Sequence, residues 1–257
     1  MLVLLPPSEG KRAPDAGAPI DLATLTFPAL TPRREKALRG LVKLANGSRK
    51  RAVENLGLSA GQAAEVDRDA ALPTAPAAPA GEVYTGVLFQ HLDLPSLTPA
   101  ARARAHEQVL VASALWGVVA LDDRIPAYRL SIGARIPALT RSGLAAWWKP
   151  ALAATLPDDT GQLVVDMRSG GYAAAWRPRR ATLIEVKAST ANGRPISHMA
   201  KAVRGTVTRG LLMERRAATT PEDVAAVAER GADVGRVELH PPARPGAAWV
   251  VNVVASN

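Results

Sequence analysis

The sequence predicts a single mixed domain of the α+β class spanning residues 1–257, and three observations carry that expectation. Apolar residues make up 47% of the chain and charged residues 21%, enough hydrophobic material for one large core and too much for wholesale disorder. Short continuous apolar runs of strand length interleave with segments of helical periodicity. No strict βαβ rhythm and no internal repeat is visible, which argues for a mixed arrangement over a doubly wound one.

The elements follow from local chemistry. Residues 1–5 (Met-Leu-Val-Leu-Leu) have no basic flank and meet Pro6-Pro7 at once, so they read as a buried strand and not a targeting segment. Leu38, Leu41, Val42 and Ala45 fall at i, i+3, i+4 and i+7, so residues 31–45 read as an amphipathic helix with Lys36, Arg39 and Lys43 on its opposite face. Asn46-Gly47 stops that helix, and Ser48 caps a second through about Leu56. Ser59 and Gln62 have capping-box spacing for a third short one. Residues 72–80, rich in Pro and Ala, form a connector, and Thr98-Pro99 opens a further helix.

The longest later apolar run, residues 109–121, is well short of the roughly 20 residues that cross a bilayer. Residues 142–155 read as a helix, 163–167 and 182–186 as strands, and 197–216 as a long helix. Thr220-Pro221 starts another helix with Asp223 three residues beyond the cap, and 236–239 and 248–254 complete the strands. Zero cysteines exclude disulfides, thiolate metal sites and a cysteine nucleophile, and they fit a reducing compartment. The expectation is a soluble, cytoplasmic protein with no membrane partner.

Charge is unevenly placed on this chain of net charge +9. From Arg33 to Arg51 there are eight basic residues against one acid, and from Arg177 to Arg216 ten against two. The rest is net acidic, so two segments carry the positive field, a distribution suited to an anionic partner and also to solvated helix faces.

In the first segment, Leu44-Ala45-Asn46-Gly47-Ser48-Arg49-Lys50-Arg51-Ala52 has the spacing of a helix-hairpin-helix at about residues 33–57. Such a hairpin aims backbone N–H groups at a DNA phosphate. Lys43, Arg49, Lys50 and Arg51 would add phosphate contacts without reading sequence. An ordinary αα-hairpin closed by Asn-Gly has the same spacing.

In the second segment, Met199, Val203, Val207 and Leu211 form one helical stripe, with Lys201, Arg204, Thr208 and Arg215 on a neighbouring one. This fits a helix lining a phosphate groove, and equally a half-buried helix whose arginines reach past apolar neighbours to water. Gly205 and Gly210 inside it point to close packing or close ligand approach.

Polar residues that follow apolar runs, where loops leave a core, supply a further set: Ser8, Lys11, Tyr84, Asp122, Tyr128, Arg129, Ser169 and Tyr172. A Lys or Tyr proton donor with a carboxylate at Asp122 would suit an enzyme acting on a phosphorylated or nucleotide-like molecule. No P-loop, dinucleotide fingerprint or nucleophile elbow is present, so no catalytic motif is recognised. His91, His106, His198 and His240 include no metal-binding pair, and Asp122-Asp123 and Asp158-Asp159 read as turns more readily than as hard-cation ligands. No metal and no cofactor is expected.

The ordered set resembles the YaaA family of peroxide-stress proteins. It comprises Pro7-Ser8-Glu9-Gly10-Lys11, Val83-Tyr84-Thr85-Gly86, Ala114-Leu115-Trp116-Gly117-Val118 and Tyr128-Arg129-Leu130. Trp147-Trp148, Val164-Val165-Asp166-Met167 before Ser169 and Tyr172, and Lys201-Ala202-Val203-Arg204-Gly205 continue the series in family order. The resemblance implies a cantaloupe-like α+β fold with a helix-hairpin-helix element and a positive cleft that binds duplex DNA largely without sequence preference. It also implies a role in the peroxide response through limiting iron-dependent damage. Carried over by position, the hairpin falls on Leu44 to Ala52, and the basic helix on Lys201 and Arg204. The chain departs from the family pattern after Ala218, where Arg236-Val237-Glu238-Leu239-His240-Pro241-Pro242 replaces an aromatic-rich closing segment.

Overall fold

A computed structural model describes residues 1–194, 196–231 and 236–254. Its elements begin with β1 (Leu2–Leu5), α1 (Thr31–Ala45), α2 (Arg49–Leu56), α3 (Glu65–Ala70), β2 (Ala78–Pro79), α4 (Ala80–Val83), α5 (Val87–Leu92) and α6 (Pro99–Gln108). Then come β3 (Val109–Ser113), β4 (Gly117–Ala120), β5 (Arg124–Ile125), α7 (Leu144–Thr155), β6 (Leu163–Asp166) and α8 (Gly170–Ala173). The chain closes with β7 (Thr182–Ser189), α9 (Ser197–Met213), α10 (Pro221–Gly231), β8 (Arg236–His240) and β9 (Trp249–Val254).

Seven strands form one sheet in the order β4-β3-β1-β6-β7-β9-β8, and β2 pairs with β5 apart from it. The five inner strands are parallel, while β4 and β8 close the edges antiparallel. A mixed single domain is therefore present, built on a mostly parallel sheet flanked by helices. Residues 6–108, six helices long, separate β1 from its neighbour β3, and that one crossover hides the alternation in the sequence. Every residue of β1, β3 and β6 is buried, as parallel strands covered on both faces require.

In the parallel set the chain goes from β1 to β3 on one side and then returns to β6 on the other. The crevice beyond the carboxyl ends of β1 and β6 is thus a topological switch point, where open parallel sheets bind ligands.

Run 109–121 folds back on itself as the β3–β4 hairpin. Ser113 Oγ accepts from the amides of Leu115 and Trp116 at 3.2 and 2.9 Å, and Trp148 Nε1 donates to Ala114 O at 2.9 Å. Gly117 is obligatory there: its φ is +76°, and a Cβ would lie 2.8 Å from the Trp148 ring. The helix over residues 31–45 forms as expected, with its buried stripe on Arg34, Ala37, Gly40, Leu41 and Ala45, while Leu38 and Val42 are half-buried. Ser48 takes the N-cap position of α2 without a side-chain cap bond. Thr98 Oγ1 does cap α6, accepting from Ala101 N at 3.3 Å.

The helix of residues 197–216 is shorter than expected, ending at Met213, and the side chains of Ser197 and His198 lie outside the described residues. Val203, Val207 and Leu211 are buried as read. The basic stripe is cut down: Thr208 is fully buried and donates to Arg204 O at 2.7 Å, and Arg215 lies past the helix end. Gly205 permits direct backbone contact with α5, because a Cβ there would sit 2.2 Å from Leu88 O.

Candidate phosphate-binding cleft

The switch-point crevice opens into a cavity of about 460 Å³. Its walls come from the loops after β1 and β6, the start of α5, the loop from Arg129 to Ile132, and α9.

Pro6-Pro7 supplies no N–H and ends β1, so the chain turns at Ser8-Glu9-Gly10. Ser8 Oγ donates to Gly10 O at 2.5 Å and accepts from Thr85 N at 2.9 Å, while Arg12 N donates to Val83 O at 2.9 Å. These bonds tie the turn to the Tyr-Thr-Gly segment and hold Lys11 at the cavity wall. Lys11 Nζ donates to Ser8 O at 2.7 Å and lies 4.2 Å from the Tyr128 ring centre and 5.5 Å from that of Tyr84.

Behind this wall the phenols form a closed chain. Tyr84 Oη and Tyr128 Oη are 2.9 Å apart, and Tyr128 Oη is 2.7 Å from Ser113 Oγ. Burial pushes both phenols well above the usual tyrosine range, so they stay neutral donors. Asp69, on α3, is fully buried beside them; its Oδ1 accepts from Arg129 N at 2.8 Å and its Oδ2 has no hydrogen-bond partner.

Burial, reinforced by the Arg129 charge, lowers Lys11 to about 7 against the opposing pull of Asp69, Glu65 and Glu9. Burial raises Asp69 to about 7, with the Arg129 amide and the Lys11 charge pulling the other way. Lys11 is half-buried and lines the cavity.

The loop after β6 is set by a pair the sequence reading did not single out. Arg168, 6% exposed, meets Asp166 through Nε to Oδ1 at 2.8 Å and Nη2 to Oδ2 at 2.7 Å, and donates to Trp176 O at 2.7 Å. This bidentate ion pair fixes the turn that presents Ser169 and Tyr172 to the cavity. The visible signal was Asp-Met-Arg directly after a fully apolar strand.

From the opposite side α9 brings Lys201, exposed, and Arg204, half-buried, whose Nε donates to Val186 O at 3.2 Å. Desolvation lowers Arg204 from its ordinary value, with Asp166 and Glu185 opposing. Arg129 reaches Glu9, with Nη2 to Oε2 at 3.3 Å. Among the described residues, four cations (Lys11, Arg129, Lys201, Arg204) therefore line the cavity against one acid, Glu9.

Ser8, Lys11, Arg129, Ser169, Tyr172, Lys201 and Arg204, two groups read separately in the sequence, share this cavity. Tyr84 and Tyr128 sit behind it. Asp122 does not belong: it pairs with His106, Nδ1 to Oδ2 at 2.6 Å, on a different cavity. Its neighbour Asp123 is the buried one, accepting from Thr26 N and Ala120 N at 2.8 and 2.9 Å, which is turn capping and not chemistry. Asp158 does the same for the amides of Arg179, Arg180 and Ala181.

The hairpin cations are not among the residues lining the cavity. Lys43, Lys50 and Arg51 are exposed on α1 and α2, but Arg49 is bound to Asp67 at 2.7 Å and to Ala63 O at 3.0 Å. In the same segment Arg34 is fully buried, donating to the carbonyls of Thr26, Val118 and Trp116 at 2.7, 2.9 and 3.1 Å, and Arg33 stacks on Trp147. Arg33 and Arg34 of that basic run are engaged by the fold, a fact charge counting does not reveal, while the other six cations are exposed.

The family model described as "Peroxide stress protein YaaA" matches residues 1–233, from β1 through α10. The chain belongs to the YaaA family of peroxide stress proteins. A UPF0246 protein of Streptomyces coelicolor is 46% identical over 264 residues, covering 99% of this chain and 98% of its own. A UPF0246 protein of Corynebacterium glutamicum is 36% identical over 235 residues, 89% and 92% of the two chains. The YaaA match contains every residue placed in the cleft and stops ahead of β8 and β9, the segment whose sequence departs from the family pattern. Among the described residues, no helix is long and apolar enough to cross a membrane.

Proposed function

We propose that the cleft binds the phosphate of a nucleotide carried on duplex DNA, and that this YaaA-family chain acts as a cytoplasmic DNA-binding protein that limits iron-dependent damage under peroxide stress. The observation that carries the reading is the convergence of Lys11, Arg129, Lys201 and Arg204 at the strand switch point, with Glu9 the one acid of the lining among the described residues. Lys43, Lys50 and Arg51 on the α1–α2 hairpin offer a second row of backbone contacts of the helix-hairpin-helix kind. Arg49 contributes less, being tied to Asp67.

The test is fluorescence anisotropy with labelled duplex across a salt series. Each phosphate contact contributes a slope of about −0.9 in log affinity against log salt, so K201A/R204A is expected to flatten the slope by about 2. K43A/K50A/R51A flattens it by up to about 3 if the hairpin contributes. Absence of binding at low salt overturns the DNA reading.

A second reading is favoured by the depth of Lys11 and the phenol chain behind it, which are more varied than backbone binding needs. In it the cleft takes a free nucleotide or another phosphorylated small molecule as an enzyme substrate. Thermal-shift screening with nucleotides and sugar phosphates separates the two: stabilisation by these without duplex binding supports the small-molecule site.

A further inference from the structure

We propose that Lys11 is a covalent anchoring residue, whose amine condenses with the carbonyl of a phosphorylated aldehyde or ketone held in the cleft. The proposal rests on the phosphate reading for its substrate class, and on geometry for its nucleophile. Lys11 is anchored at one point, by its bond to Ser8 O at 2.7 Å, and lines the cavity that also holds Arg129, Lys201 and Arg204. A ligand whose phosphate meets those three cations therefore shares the cavity with the amine.

A lysine becomes a nucleophile when its surroundings disfavour the ammonium form, by desolvation or by a neighbouring cation. Both are present. Burial strips water from the amine and Arg129 lines the same cavity, which together outweigh the faces of Tyr128 and Tyr84 that favour the ammonium form. The groups acting on it are Arg129, which opposes its charge, and Asp69, Glu65 and Glu9, which favour it; the balance leaves it at about 7. An ordinary lysine, at about 10.4, is almost wholly protonated at neutral pH.

The step balances without an oxidant or reductant. The Lys11 nitrogen lone pair attacks the carbonyl carbon, the carbonyl π pair moves to oxygen, and the nitrogen's proton passes to that oxygen through water in the open cleft. The carbinolamine then loses water as the C=N bond forms. Tyr84 and Tyr128, held neutral by burial, add no negative charge to those of Asp69, Glu65 and Glu9 around the amine.

The test uses pyridoxal 5′-phosphate and pyridoxal as probes on the full chain, with borohydride trapping and peptide mass spectrometry. Lys11 is expected to label more than about tenfold faster than exposed Lys36 and Lys50, with a rate that rises through a midpoint near pH 7. Inorganic phosphate should slow the phosphorylated probe and leave pyridoxal unaffected. Equal, unprotected labelling by both probes would uphold the covalent site and overturn the phosphate reading. Labelling of Lys11 no faster than Lys36 and Lys50 overturns the proposal. K11R, checked for native circular dichroism, should lose the labelled peptide, and the wild-type map decides the matter if that variant does not fold.

Discussion

Gly205 holds α9 against α5, and replacing it with alanine should push apart two walls of the cleft. The added Cβ would lie 2.2 Å from Leu88 O, 2.7 Å from His91 Cβ and 3.1 Å from Leu88 C, so its nearest obstruction is backbone and no rotamer change relieves it. Ordinary contact needs the helices to separate by about 1.2 Å locally. Overpacking of this kind costs about 1–3 kcal/mol, and a backbone obstruction belongs at the upper end, while alanine's better helix propensity returns about 1 kcal/mol. A net loss of about 2 kcal/mol lowers the melting temperature of a chain this size by about 4–8 °C. Because α9 carries Lys201 and Arg204 and α5 carries Val87 to Phe89 on the facing wall, ligand affinity should fall with stability. Urea and thermal unfolding read the first effect and anisotropy the second. Gly61→Ala, with nothing within 4 Å of its Cβ, is the control and should stay within about 0.5 kcal/mol of wild type. A G205A protein that melts at or above wild type would refute the argument, since it would mean that helix propensity outweighs the contact.

Other outcomes follow from the same geometry. Arg34→Met leaves the buried carbonyls of Trp116 and Val118 without their charged donor and should cost about 3 kcal/mol in urea unfolding; a loss below about 1 kcal/mol would show that the charge's own desolvation cancels its bonds. Tyr128→Phe removes the middle of the Tyr84–Tyr128–Ser113 chain and should cost about 1–3 kcal/mol, whereas Tyr172→Phe, with no hydroxyl in that chain, should cost less. Asp69, at about 7 when folded and about 3.9 unfolded, binds extra protons in the folded state between those values, so its contribution to stability falls as pH rises from about 4 to 7. Lys11, lowered to about 7, binds fewer protons when folded between about 7 and 10.4, so its contribution rises with pH across that window. Together they place a stability minimum near pH 7 that K11M/D69N should flatten by a few kcal/mol; wild-type and variant stability curves parallel in pH would disprove the coupling.

Element boundaries were legible wherever short-range chemistry sets them. Pro6-Pro7 ends β1, Asn46-Gly47 ends α1, Thr98-Pro99 opens α6 and Pro221 opens α10, as the sequence predicts. Each depends on a missing N–H, a cap or a helix stop within a few residues. The parallel order of the sheet was not legible, because β1 pairs with β3 and β6 across residues 6–108 and 6–162, and a buried parallel strand carries no alternation to name its partner. Asp122 against Asp123 makes the point at one position: both follow the same hairpin, and only tertiary packing turns Asp123 inward and leaves Asp122 to His106.

The sequence by itself determined the solvent-excluded strands, the helices and their caps, and the ordered loop motifs that mark the YaaA family, since these rest on side-chain type and spacing along the chain. The tertiary structure alone decided that the Ser-Glu-Gly-Lys turn, the Arg129 loop and the Lys201–Arg204 helix share one cavity, that Arg34 is buried on backbone carbonyls while exposed Arg49 pairs with Asp67, and that Asp69 faces Lys11's field without a partner for Oδ2. Charge in a sequence is only a count; burial and neighbours assign it a dielectric and a counter-ion, and both are properties of the fold.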